Sequence, residues 1–282
     1  MLSIYSKTSV SEFIRAFKSI DEQEDVSVDL LINIDGPISE ELNQCIAKLS
    51  TKKALKKIKI YKSSENRGLA ASMNRLILEE FSNYDFFLRQ DCDDYSATKR
   101  CKLQVSFLER NPLVDSVGSY FQSFNKNSLE PSSVSVYPSD HESISLDFAS
   151  KAPIAHATIC FRKSFFIKAG IYAPDHTTYA EDTRLWYSGL YTGCVFANIP
   201  KVLYYVAEDE SQYQRRSGLL QIITIFKVRV RYIVHARLGI FALFRAFLEL
   251  ALRLLVSIIV FSPFKKYTSP IISIYKKQHK YR

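Results

Sequence analysis

The run Tyr84-Asp85-Phe86-Phe87-Leu88-Arg89-Gln90-Asp91-Cys92-Asp93-Asp94 constrains the fold of this chain more than any other stretch. Phe86-Phe87-Leu88 is a short apolar segment of the kind that forms a buried strand. It leads directly into three carboxylates, Asp91, Asp93 and Asp94. Like charges that close repel, and each raises its neighbours' pKa. A cation among them relieves the repulsion. Carboxylate oxygens at a strand end suit Mg²⁺ or Mn²⁺, which bind one or two carboxylates together with substrate phosphates. In an open α/β sheet, ligands bind beyond the carboxyl ends of the strands. One reading is therefore a metal–diphosphate site. The other is an acidic loop ahead of a helix, with Asp94 or Ser96 as its N-cap.

The elements around this run alternate. Leu2–Tyr5, Val28–Ile34 and Ile58–Tyr61 read as strands. Between them, Val10 to Gln23 has helical apolar spacing behind Ser9, and Glu12 completes a capping box. Ser39 to Leu49 and Leu69 to Leu78 are further helices. Beyond the acids, Thr98 to Arg110 reads as a helix stopped by Asn111-Pro112, and Val114–Phe121 as a strand. Phe124 to Ser139 is polar and reads as a loop or excursion. His156–Arg162 is a strand, Ser164–Ala169 a short helix ended by Gly170, and Thr183–Tyr191 a helix opened by Tyr179-Ala180-Glu181-Asp182. Cys194–Asn198 and Val202–Val206 are two closing strands. Strands alternating with helices predict βαβ units and a mostly parallel central sheet flanked by helices.

Several functions are excluded. None of the eight glycines makes G-x-G-x-x-G after the first strand, and no Gly-Lys-Ser/Thr exists, so neither dinucleotide nor P-loop chemistry fits. The five cysteines lack a C-x-x-C pair, which argues against zinc and disulfides and for a reducing compartment. No signal peptide is expected from Met1-Leu2-Ser3-Ile4-Tyr5. A diphosphate must then be held by a metal and side chains, with the metal stabilising departing charge.

At this point the residues carry a resemblance. Asp35-Gly36-Pro37; Asn66-Arg67-Gly68-Leu69-Ala70 with Asn74; Arg89-Gln90-Asp91-Cys92-Asp93-Asp94; Lys99-Arg100 with Gln104; Asn111-Pro112; Val117-Gly118; His156-Ala157-Thr158; Phe161-Arg162-Lys163; Gly170-x-Tyr172; and Glu181-Asp182-x-Arg184-Leu185-Trp186 stand in collinear order. Together, over residues 1–216, they resemble family 2 glycosyltransferases of the GT-A fold. The nearest likeness is to the bacterial branch that builds capsular, exopolysaccharide or O-antigen chains. The resemblance implies an inverting, metal-dependent transfer from a nucleotide-sugar donor, a UDP-sugar first among them, to a lipid-linked saccharide acceptor. It implies a nucleotide-sugar-binding half over 1–96 and an acceptor-binding half over 97–216. Asp35 would sit under the base and Arg67 near the base or diphosphate. Asp91 and Asp93 would carry ribose and metal, with Asp93 the direct ligand and Asp94 supporting. Asp182 would be the general base, and Glu181 would contact acceptor or donor sugar. Gln90 stands where the family commonly has a small or apolar residue, and Cys92 where it has alanine.

Other residues carry paired readings. His156 is a metal ligand or a satisfied polar residue at the acceptor side. Trp186 stacks on an acceptor sugar or packs in the core. Arg215 and Arg216 clamp the donor diphosphate or open a solvated helix.

The C-terminal tail, 217–282, differs in kind. From Ser211 to Arg282 there are fourteen Lys/Arg against one acid, Glu249, a net of +13; the rest of the chain is −4. Leu219–Arg237 mixes apolar and basic residues at helical spacing. Leu238 to Phe264 is strongly apolar, with Arg245, Glu249 and Arg253 four apart on one stripe. Its longest uncharged run, Leu254–Phe264, falls short of the about 20 residues a spanning helix needs. The tail thus reads as an amphipathic helix on an anionic leaflet, with no role for nucleic acid. Packing on the enzyme is the second reading and a membrane span the third. With the resemblance, this places the protein in the cytoplasm, peripherally on the cytoplasmic face of the inner membrane. Two other functions compete. A haloacid-dehalogenase-type phosphotransferase also puts D-x-D after a strand, but in its first strand and with Thr or Val where Tyr95 stands. A non-enzymatic adaptor with a basic tail leaves both acid clusters unexplained.

Overall fold

Two sheets meet at Arg89, and the meeting is what puts the acidic run at a crevice. The computed structural model describes residues 1–49, 53–173, 179–208 and 218–261. The first sheet is parallel. Strand β1 (Leu2–Ile4) lies between β2 (Val28–Asp35) and β5 (Gln90–Asp91), and β3 (Leu55–Ser63) flanks β2. Ser3 is in register with both Asn33 and Asp91, so Asp35 and Asp91 reach the same carboxyl edge. Helices α1 (Val10–Asp21), α2 (Glu40–Ala47) and α3 (Leu69–Glu80) make the crossovers. The capping box forms as expected: Ser9 accepts from the Glu12 amide, and the Glu12 carboxylate accepts from the Ser9 amide. Leu2, Ile4, Phe13 and Ile32 are fully buried between sheet and helices.

The second sheet is mixed. Strands β4 (Phe86–Leu88), β9 (Cys160–Arg162), β7 (Ser116–Asn125), β10 (Phe196–Glu208) and β6 (Tyr95–Ser96) run in that spatial order, with β8 (Pro131–Ser135) paired to β7. Phe87 pairs antiparallel with Phe161 in this sheet, while Gln90, three residues on, pairs with Leu2 in the other. The apolar run and the acids therefore belong to two strands separated by Arg89. Helix α4 (Arg100–Arg110) follows the loop, capped by Lys99 rather than by Asp94 or Ser96, so the capping reading of those residues is corrected.

Other elements depart from the sequence expectation for visible reasons. The polar stretch 124–139 is half structured: β7 runs on to Asn125, and β8 returns to pair Phe121 with Ser135. The edge position of β8 lets it be polar. Helix α5 (His141–Phe148) buries only Ile144 and Phe148, too few positions to show a helical period. His156–Thr158 is a 3₁₀ turn leading into β9. The two closing strands are one, β10, whose register slips between Ile199 and Val202, around Pro200, which has no N–H to pair.

Helix α6 (Lys163–Ala169) and helix α7 (Glu181–Tyr191) cover the second sheet, and α8 (Leu219–His235) joins the same core. Val228, Tyr232 and Ile233 are buried against it. The Tyr232 hydroxyl donates to Ser145 O (2.9 Å), its ring meets Phe148 edge-on (5.0 Å), and Arg229 donates to Ser150 O (2.6 Å). Helix α9 (Ile240–Phe261) packs on α8, with Phe247 against Phe226 (4.9 Å) and Ala246 buried in the same core cluster. No described helix is long and apolar enough to cross a membrane.

Because α8 is core, Tyr232→Ala should cost about 3–5 kcal/mol in urea unfolding, the range for emptying a buried aromatic site. Tyr232→Phe should cost about 1 kcal/mol, the hydrogen bond alone. A Tyr232→Ala loss no larger than that of Tyr232→Phe would show α8 to be a loosely attached appendage.

Candidate active site

The acids after β5 are held by their backbone, which leaves their carboxylates facing one another. Asp91, Asp93 and Asp94 each present an oxygen, and the three lie within 4.8 Å of one another. The Asp91 amide donates to the buried Tyr204 hydroxyl (2.9 Å), and Arg15 donates to Asp93 O (2.7 Å). Gln90 staples the turn from below: its amide nitrogen donates to Asp91 O (3.0 Å) and Asp94 O (3.2 Å), while its oxygen accepts from Ser96 (2.7 Å) and Arg100 (3.2 Å). Arg100 in turn donates to Arg89 O (2.8 Å) and Ala157 O (3.2 Å) and stacks on the Tyr204 ring (4.5 Å).

The electrostatics follow from this crowding. Burial, together with Asp91, raises the Asp93 pKa. Burial, then Asp93 and Asp91, holds Asp94 well above the ordinary range, although its Oδ1 accepts from the Ala207 amide (2.8 Å). Arg89 is ion-paired to Asp91; burial opposes its charge most strongly, but Asp91, Tyr172, Tyr204 and Glu181 together raise its pKa and keep it cationic. Three hard oxygen donors at this spacing, with one fixed cation, fit a divalent ion of the Mg²⁺ or Mn²⁺ kind.

A second pair of acids opens α7. Ala180 adopts a left-handed conformation (φ 56°) that turns the chain into the helix at Glu181 and Asp182. Burial raises the Glu181 carboxyl, and Asp182 raises it further, while Arg89 pulls the other way; the two acid clusters share Arg89 as a neighbour. Asp182 Oδ1 accepts from the Thr183 amide (2.6 Å) and hydroxyl (3.2 Å).

At the end of β2 lies a cleft of about 610 Å³, lined by Asp35, Lys62, Arg67, Asn74, Arg75 and Glu181 among others; the aspartate trio and Asp182 do not line it. Asp35 spends both oxygens on the backbone: the Arg67 amide donates to Oδ1 (3.0 Å) and the Gly68 amide to Oδ2 (2.9 Å). That bond pair folds the Asn66-Arg67-Gly68 turn against Gly36, whose positive φ (83°) leaves no room for a side chain: a Cβ there would stand 2.7 Å from the Asn66 nitrogen. Asn74 clamps the far wall, donating to Tyr172 O (2.8 Å) and accepting from its amide (2.9 Å).

His156 packs between Tyr172 and Trp186. His156 Nε2 is hydrogen-bonded to the Tyr172 hydroxyl (2.6 Å) and its ring meets Trp186 edge-on (5.7 Å). Among the described residues the cluster of potential metal ligands is the aspartate trio, without His156. Trp186 is 2% exposed and packs on Phe161 and Phe196, so sugar stacking is corrected to core packing. Arg215 and Arg216 lie outside the described residues.

Residues 6–168 match the sequence family described as Glycosyl transferase family 2. The chain belongs to that family. It is 27% identical over 254 residues to an uncharacterized glycosyltransferase of Haemophilus influenzae, covering 90% of each chain. It is 27% identical over 232 residues to the Escherichia coli UDP-Gal:alpha-D-GlcNAc-diphosphoundecaprenol beta-1,3-galactosyltransferase, covering 82% of each. Two solved structures share the fold. The mannosyltransferase PcManGT of Pyrobaculum calidifontis, in complex with GDP-Man and Mn²⁺, superposes with a TM-score of 0.60 at 13% identity, over all of this chain and 80% of that one. TarS of S. aureus superposes with a TM-score of 0.59 at 16% identity, over 82% of this chain but 42% of TarS. The fold is GT-A-like, as the resemblance implied, and the chain is a glycosyltransferase.

In this glycosyltransferase, sequence reading assigned no role to Arg89, Arg100 or Tyr204. The signal for Arg89 was present: a lone cation between an apolar strand and three acids. Arg100 stood in the motif with Gln104, but its bonds to Gln90, Arg89 O and Ala157 O, like those of Tyr204, depend on the fold.

His156 also carries a pH prediction. Burial and the nearby Arg89 cation hold its pKa well below the ordinary value. The unfolded chain takes up a proton near pH 6.5 that the folded chain refuses, so this residue's contribution makes stability fall as pH drops from 7 to 5, by about 1–2 kcal/mol. His156→Gln should lose less stability over that interval than the native protein. Equal pH slopes in urea unfolding at pH 7 and 5 would show that His156 is charged in the fold.

Proposed function

We propose that this enzyme moves a sugar, with inversion, from a nucleotide diphosphate sugar to a lipid-linked saccharide acceptor during surface-polysaccharide assembly. The observation that carries the proposal is a cleft lined by Asp35, Arg67 and Glu181, with the aspartate trio close enough for Asp91 and Arg89 to act on Glu181. A UDP-sugar is the favoured donor and a diphospholipid saccharide the favoured acceptor. Support comes from the Escherichia coli relative, whose name states a UDP-Gal donor and a diphosphoundecaprenol acceptor. Such an acceptor places the reaction at the cytoplasmic face of the inner membrane.

The base of the donor lies over Asp35 and the Arg67-Gly68 turn, which its two backbone bonds keep rigid. The ribose and diphosphate run toward Asp91 and Asp93. Asp93 and Asp91, with Asp94 supporting, would hold a divalent cation, which when bound would offset the charge of the departing diphosphate. The PcManGT complex with Mn²⁺ supports an ion of this class. Arg89 holds Asp91 in place and keeps the cluster from carrying three uncompensated charges. In the transfer step an acceptor hydroxyl oxygen attacks the anomeric carbon opposite the leaving nucleotide. The carbon–oxygen bond to the phosphate breaks, and the hydroxyl proton passes to Asp182. The Thr183 bonds occupy one Asp182 oxygen and leave the other for that proton. Glu181 contacts the sugar. Residues 1–96 supply the donor half and 97–216 the acceptor half, with α8 sealed onto the second.

Incubation with sugar nucleotides and Mn²⁺, followed by detection of released nucleoside diphosphate, tests the activity. Asp93→Asn should abolish turnover and remove Mn²⁺-dependent tightening of nucleotide binding, since an amide is a poor ligand for a hard cation. Calorimetry showing unchanged Mn²⁺ dependence would overturn the metal assignment.

Asp182→Asn should keep donor binding and lose about 10²–10⁴-fold in turnover, the range for a general base. If Glu181→Gln loses more than Asp182→Asn, the two acids exchange roles.

A further inference from the structure

Helix α9 is built with its polar pair inward and its apolar face outward. Glu249 and Arg253 form an ion pair (2.8 Å) with side chains only 14% and 23% exposed, in the seam with α8 beside Ile222, Ile225 and Arg229. The opposite strip, Phe241, Phe244, Leu248, Leu252, Leu255 and Ile258, is between 38% and 82% exposed. A surface helix in water has the reverse arrangement. An exposed apolar strip of this length marks a contact with something apolar.

We propose that this strip of α9 rests on an anionic lipid surface, the helix lying in the plane of the interface. Two observations select lipid over a second copy of the chain, and a third sets how the helix lies. The region from Ser211 onward carries +13 while the remainder is −4, so two copies meeting through α9 would bring like charges together, whereas an anionic leaflet attracts them. Arg245 is exposed at the border of the strip, next to Phe244, where a long cationic side chain reaches lipid headgroups while its stem stays apolar. The half-buried Glu249–Arg253 pair sits mid-helix, and no described helix is long and apolar enough to span, so the helix lies on the surface rather than across it. The sequence expected Arg245, Glu249 and Arg253 to form one outward polar stripe; α8 takes up the latter two, and Leu243, Leu250 and Leu254 are half-buried while Phe241, Leu248, Leu252 and Leu255 are exposed.

This inference specifies the surface behind the membrane placement proposed above. It is tested without a transfer assay, so the two fail separately. Full-length protein is sedimented with vesicles of phosphatidylcholine alone and of phosphatidylcholine mixed with phosphatidylglycerol, at low and high salt. The expected result is at least about tenfold greater retention on the anionic vesicles at low salt, partly lost at high salt as the charges are screened. Phe241→Glu/Leu248→Glu, both at exposed positions, should abolish retention with an unchanged melting temperature and unchanged nucleotide binding. Retention of that variant equal to the native protein's would overturn the proposal. So would salt-resistant retention on both vesicle types, which indicates a span. A native dimer in light scattering that the variant makes monomeric, without vesicle binding, would assign the strip to a second copy.

Discussion

Arg100 is 1% exposed and carries five donor groups that water does not reach. They are spent on Gln104, Gln90, Ser96, Arg89 O and Ala157 O, and its guanidinium stacks on Tyr204. A buried cation tolerates few alternative arrangements, because each lost partner costs more than the bond contributed. Those partners come from Arg89 and β5, from β6, from the 3₁₀ turn before β9 and from α4. Through that one side chain the two sheets are fastened where the chain crosses between them, and the aspartates are carried on the fastened segment.

The site is a consequence of that crossing. Had Phe86–Leu88 and Gln90–Asp91 been one continuous strand, the acids would end one sheet, remote from α7. Breaking at Arg89 turns the acids toward the crevice shared by both sheets. It also leaves Arg89 near Glu181 as well as paired with Asp91. Gln90 has a stated use: where the family tolerates a small residue, this chain ties the Asp91 and Asp94 carbonyls to Ser96 and Arg100 through one amide. Asp35 works in the same way at the other end, giving its charge to two backbone amides so that the turn, rather than a mobile side chain, shapes the cleft.

The C-terminal helices divide by packing, not by composition. Both are apolar and basic in sequence. Helix α8 belongs to the catalytic core because Val228, Tyr232 and Ile233 complete a cluster that includes Phe148 and Trp186. Helix α9 reaches that cluster through Ala246 but leaves Phe241, Phe244, Leu248 and Leu255 exposed, which frees its apolar face for another surface.

Much of the site was legible in the residues themselves. Closely spaced like charges at a strand end, a capping box, an Asp-Gly turn and a paired-acid helix start are local signals, and local chemistry determines them. Asp91, Asp93 and Asp94 stand out as candidates for that reason, whereas Asp35, Arg67 and Glu181 take their proposed roles from the family resemblance. Tertiary structure alone decided what depends on distant partners. Trp186 has the same sequence context whether it faces sugar or Phe196, and only packing removes it from solvent. Pro200 reads as the end of a strand, yet β10 continues because pairing with β7 resumes past the bulge. Arg245, Glu249 and Arg253 form one stripe by periodicity, but which side of the helix meets protein is set by α8, whose own docking is set by Tyr232. Periodicity defines faces of an element; the neighbours that bury one of them are a property of the assembled chain.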